Sequence, residues 1–201
     1  IGIIRLLAEN NISLNVRQLI EKFMPKNSVE KVVELKNFID ERLVNYLKDK
    51  SYHSHEIDAV MSSSPAYLHN VIEKIEAIRV FSSLAESHEL AAANKRVSNI
   101  LKKYELTNNT EIIPSLLNEP QEQELYKSLN KQMPIVKKYL KENNYIDALK
   151  VLVELKIPID NFFDKVMVND EKIEIKNNRH NLLIKLHEIL NCVADISKVT
   201  N

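Results

Sequence analysis

A single glycine, Gly2, serves the whole chain of 201 residues. Phosphate-cradling loops and dinucleotide turns use glycines so that backbone N–H groups can approach a ligand. Tight hairpins use them to reach positive φ. Beyond residue 2 neither device is available, so nucleotide-binding folds and hairpin-rich sheets are disfavoured and helices are left. Helical periodicity does run through the chain. Val29, Val32, Val33, Leu35, Ile39, Leu43 and Leu47 recur on one face, predicting a helix over 29–48. Further helices are predicted over 2–9, 15–24, 56–61, 86–104 and 145–155. "SSSP" suggests a serine cap with Pro65 at the first position of a helix over 65–84. Asn118 is placed to cap a helix through 142 that Pro134 kinks or divides, Pro158 opens a short helix through 168, and the last helix covers 177–191.

The stretch 105–120 is the least periodic and makes the expected boundary. The reading is all-α in two packed helical units, 1–108 and 109–201. Opposite charges cancel, with 28 Lys and Arg against 28 Asp and Glu, which leaves room for a local basic strip. One cysteine, Cys192, rules out an internal disulfide framework or a cysteine-based zinc site. No apolar run approaches the ~20 residues needed to span a bilayer, and a reducing, cytoplasmic setting is expected. The chain opens at Ile1 rather than methionine and is expected to be part of a longer protein.

No nucleophilic constellation stands out: no serine lies in a Gly-x-Ser-x-Gly elbow, and Cys192 reads as packing. "YHSHEID" places His53, His55, Glu56 and Asp58 together, a weak start for a metal site beside the reading as a solvated loop. No metal ligands and no catalytic residues are assigned. Asp160 and Asp164 lie one helical turn apart, where Asp160 favours a helix N-terminus and Asp164 a nearby cation.

Two segments suit binding better. Along 93–104, Leu90, Val97, Ile100, Leu101 and Tyr104 share the buried side, and Lys95, Arg96, Asn99, Lys102 and Lys103 the outer side. Such a strip suits phosphate and sugar contacts, and also suits a merely solvated face. In the last helix, Asn177, Asn181 and Lys185 line the side opposite the leucines. Arg179 would sit in its first turn, where a cation is disfavoured. Either an internal acid (Asp160, Asp164 or Asp195) or an RNA phosphate or base would hold it there. The face of Ile159, Phe162, Phe163, Val166 and Met167 is expected to be core.

"KRVSNIL" (95–101), "PIDNFFDKVMV" (158–168), "NNRHNLL" (177–183) and "VADISK" (193–198) together resemble, in that order, the C-terminal part of the β subunit of bacterial two-subunit glycyl-tRNA synthetase. "GIIRLLAENN" (2–11) resembles the segment just before it, so the likeness covers nearly the whole chain. The family is departed from at His180 and Asn181, where an apolar pair is usual, and at Lys176, where an arginine is common. The resemblance implies that 109–201 is an anticodon-binding-type helical bundle. It also implies an enzyme of two α and two β subunits in which β holds tRNA(Gly) while α, with ATP and Mg, performs glycylation. No cofactor is then expected in this chain, nor a membrane or DNA partner. Candidate tRNA-binding residues are Lys95, Arg96, Asn99 and Lys102, with Asn178, Arg179 and Lys185 from the last helix. The competing readings are a helical module that docks the α subunit or another protein without touching RNA, and a metal hydrolase built on His53 and His55.

Overall fold

The computed structural model describes residues 2–10, 12–25, 28–104 and 111–199. Its helices are α1 (Gly2–Glu9), α2 (Val16–Phe23), α3 (Val29–Asp49), α4 (Ser54–Met61), α5 (Val71–Ser82), α6 (Ser87–Leu101), α7 (Pro120–Lys141), α8 (Tyr145–Lys150), α9 (Lys156–Lys165) and α10 (Ile173–Leu190). Short 3₁₀ turns cover Pro114–Leu116, Val151–Leu155 and Ile196–Lys198. No strand occurs among the described residues, and one isolated antiparallel bridge joins Asn15 to Tyr67.

The boundary expected near 108/109 falls on 105–110, outside the described residues. The core is continuous on either side of it, from Ile4 to Val199. α5 packs on α8, and α7 packs on α8, α9 and α10. α6 lies on α10, α9 and the turn 196–198, which also touches α4. The Asp195 N–H donates to the Ala59 carbonyl (2.9 Å), tying the last turn to the end of α4.

Local chemistry explains where the helices differ from their sequence expectation. No helix begins at Pro65: the Val16 N–H, at the start of α2, donates to the Ala66 carbonyl (3.0 Å), and Leu68 is buried. That pairing, with the Asn15–Tyr67 bridge, holds 65–67 out of a helix, and α5 begins only at Val71. α7 is capped at Glu119, one residue later than Asn118, because Pro120 needs no hydrogen-bond partner at the first helical position. α7 runs undivided through Pro134, because Leu125, Leu129, Gln132 and Val136 bury one face along its length. α10 starts at Ile173, a full turn before the expected 177. The run Ile173-Glu174-Ile175 alternates like a strand, yet only Ile175 is buried.

One device occurs twice. Glu56, at the third position of α4, accepts from the His53 N–H (2.9 Å) and takes a two-pronged ion pair from Arg79 of α5 (2.8 and 2.9 Å). Glu122, at the third position of α7, accepts from the Glu119 N–H (2.8 Å) and pairs with Arg179 of α10. In each case a carboxylate caps its own helix and holds an arginine from another. Burial works to raise the Glu56 pKa, but the Arg79 and His53 hydrogen bonds outweigh it and hold the carboxyl below its usual range.

Candidate nucleic-acid interface

α6 presents a fixed outer face because its inner face is fastened in several ways. Leu90, Ala91 and Val97 enter the core. Asn94 is also buried, and its amide exchanges hydrogen bonds with that of Asn191 at the end of α10 (2.9 and 3.0 Å), with Asp195 a further acceptor (3.3 Å). His187 Nε2 lies 3.1 Å from Ser98 Oγ. Just past α6, the Tyr104 ring stacks on His180 with centroids 3.9 Å apart and planes 9° from parallel. The Tyr104 hydroxyl donates to Asn177 (3.2 Å). Burial lowers the His180 pKa, so the ring is neutral at pH 7, with Nδ1 donating to the Lys176 carbonyl (2.7 Å).

Helical geometry then turns Lys95, Arg96, Asn99, Lys102 and Lys103 outward, and all are exposed. A groove of about 650 Å³ lies between this face and the start of α10, with Lys95, Arg96, Asn99 and Lys103 along one side. Asn169 and Lys176 form the other side, over the Tyr104–His180 stack. No carboxylate lines it among the described residues. The Arg96 guanidinium rests 4.1 Å above the centre of the Phe163 ring, a cation–π contact. A second groove, about 960 Å³, flanks the other side of α6 and includes Lys102 and Lys198, but Glu188 and Asp195 dilute its charge.

The candidate residues therefore separate. Lys95, Arg96 and Asn99 share the acid-free groove, Lys95 and Asn99 also border the mixed one, and Lys102 faces the mixed one alone. Lys185 is tied to α7 by Asn130 (2.5 Å) and lies over the Tyr126 ring, away from the strip. Asn178 is buried and pairs with the Ile113 backbone, accepting from its N–H (2.7 Å) and donating to its carbonyl (3.1 Å). Arg179 is 4 % exposed. It pairs with Glu122, and its Nη1 donates to Asp170 (2.8 Å) and to the Met167 carbonyl (2.7 Å). Burial opposes its charge, but the bond to Glu122 and the charges of Glu122 and Asp170 outweigh that and raise its pKa. Arg179 and Asn178 are internal clamps.

None of the acids expected to hold Arg179 does so. Asp160 pairs with Lys156 (3.1 Å), Asp195 caps the last turn through Ser197, and Asp164 is exposed. The earlier start of α10 places Arg179 in its second turn, facing the N-terminus of α7. Lys103, Lys176, Tyr104 and Asn169 also line the groove, beyond the candidates read from the sequence. Lys103 is legible on the outer face and Tyr104 on the buried side, but Lys176 and Asn169 need the true start of α10 and the path of the segment before it. His53 and His55 stack on each other (5.6 Å), and no group of three His, Cys, Asp or Glu converges among the described residues. Burial pushes the Cys192 thiol up to about 12, leaving it unreactive. No helix among the described residues is long and apolar enough to cross a membrane.

A family profile for the DALR anticodon binding domain matches residues 90–199. The chain belongs to that family. The DALR region thus runs from inside α6 to the final 3₁₀ turn, and it contains the acid-free groove, the Arg179 clamp and the Asn94–Asn191 pair. Over almost its entire length the chain is also similar to glycine–tRNA ligase β subunits. It is 43 % identical to that of Janthinobacterium sp. over 202 residues, covering 99 % of this chain and 29 % of the relative. It is 40 % identical to that of Methylobacillus flagellatus over 204 residues, with the same coverage. It is 42 % identical to that of Dechloromonas aromatica over 205 residues, covering 100 % of this chain and 29 % of the relative. The chain therefore spans under a third of the length of these relatives.

Proposed function

We propose that this chain is the tRNA-binding portion of a glycine–tRNA ligase β subunit. It holds tRNA(Gly) at the anticodon arm while an α subunit carries out ATP-dependent glycylation in the cytoplasm. One observation carries the reading: a cationic groove lined by no carboxylate among the described residues lies inside the span that matches an anticodon-binding family. Lys95, Lys103 and Lys176 neutralise phosphates, and Arg96 and Asn99 add hydrogen bonds that fix register. The Tyr104–His180 stack keeps the groove floor rigid, so little ordering is needed on binding.

Binding of the chain to a tRNA(Gly) transcript, titrated over a range of salt, tests this. Removing the three lysines together (K95A/K103A/K176A) is expected to weaken binding roughly 10- to 100-fold and to lower the salt slope by about two, at ~0.7 per lost contact. Binding that ignores both the salt and the three substitutions contradicts the reading.

A protein-docking role has its support on a different face. Phe23, Val29, Val33 and Phe38 are exposed along α2 and α3, an apolar surface suited to another polypeptide. It predicts association with the α subunit that does not depend on RNA.

A further inference from the structure

The acid-free groove continues, past Arg96, into an apolar notch of about 520 Å³ walled by Ile100, Val166, Met167 and Val168, with Asn169 at its edge. Arg96, Ile100 and Asn169 line both cavities. We infer that this notch receives one unstacked base of single-stranded RNA whose backbone lies along the lysines, and that Asn169 reads the edge of that base. The inference rests on the RNA-binding reading above and adds a specificity residue to it.

Three observations converge on it. Met167 is 75 % exposed, yet the backbone of its turn is anchored on both sides. Its carbonyl accepts from the buried Arg179, the preceding Val166 is buried with its N–H on the Phe162 carbonyl (2.9 Å), and Asp170 is locked by Arg179 and by the Lys172 N–H (2.9 Å). A clamped turn that aims a large apolar side chain into solvent is pre-organised for a contact outside the fold. Next, Phe163 holds the Arg96 guanidinium where the groove and the notch meet, so that a base entering the notch lies beside a cation able to contact its π face. Finally, Asn169 is exposed and its amide makes no hydrogen bond to another described residue. An amide offers one donor and one acceptor side by side, the pairing that base edges present.

The neighbouring charge decides the occupant. An apolar peptide would satisfy the notch but leave Lys95, Lys103 and Lys176 unmatched, whereas a nucleotide brings its base and its phosphate together.

The test measures binding of the full 201-residue chain to tRNA(Gly) transcripts, intact or with one anticodon-loop nucleotide made abasic. One abasic position is expected to weaken wild-type binding roughly 5- to 100-fold, the range for loss of a stacked base. M167S and N169A should each weaken binding to the intact transcript without changing the salt slope, and should show a smaller penalty at that same abasic position. Both side chains are exposed, so the fold is undisturbed and circular dichroism should be unchanged. If both variants bind like wild type and keep the full abasic penalty, while K95A/K103A/K176A binds weakly, the notch assignment fails and the phosphate surface stands. If that lysine variant also binds like wild type, both readings fail.

Discussion

Replacing Arg179 with methionine is expected to destabilise the protein by about 3–5 kcal/mol, because it strands a buried carboxylate. Glu122 is 0 % exposed and, among the described residues, its carboxylate has only the Glu119 N–H as a further partner. Methionine fills much of the arginine volume but returns neither the charge nor the donors to Asp170 and the Met167 carbonyl. Urea unfolding at pH 7 should show a lower midpoint with an unchanged slope. R179M/E122Q should be less destabilised than the sum of the single variants by about 1–3 kcal/mol, as expected for groups in direct contact. A loss below about 1 kcal/mol for R179M would mean that water screens the pair, contrary to its burial. Because the same guanidinium holds the turn carrying Met167 and Asn169, R179M should also weaken RNA binding beyond its effect on stability.

Phe162→Ala is expected to cost a similar amount, about 3–5 kcal/mol, through lost transfer energy and the cavity left behind. Phe162 is fully buried between α9 and its neighbours and meets Phe163 edge to face at 5.4 Å. Phe163 in turn supports Arg96, so the core and the binding face share one chain of contacts. F163L separates the two effects. Phe163 is half-buried, so this change should lower stability by less than about 1.5 kcal/mol while weakening tRNA binding through a looser Arg96. Thermal melts and binding titrations on both variants check this. Normal binding by F163L would mean that Arg96 does not depend on its aromatic support.

Hydrophobic period made α1, α2, α3 and α6 legible to within a residue or two, apart from the end of α6, because burial of one face follows from local spacing. It failed where a distant partner decides. The Ala66 carbonyl is claimed by Val16 fifty residues away, so Pro65 does not start a helix although its local signal is good. The start of α10 was hidden by the alternating Ile173-Glu174-Ile175, and that error placed Arg179 in a first turn it does not occupy. Its partner Glu122 lies 57 residues earlier, where the sequence marks only part of a helix. The α6 strip could be read because its residues belong to one helix face. The opposite wall, Asn169 and Lys176, comes from another part of the chain, and only packing brings it across.

In the proposed reading, the α6 face and the turn before α10 together hold the anticodon arm of tRNA. The most direct measurement is binding of the chain to tRNA(Gly), beside the same tRNA with its anticodon replaced, at low and at moderate salt. Salt-sensitive binding to both is expected, with the native anticodon preferred by roughly 5-fold or more. Equal, salt-insensitive affinity for the two, or no binding to either, would contradict it.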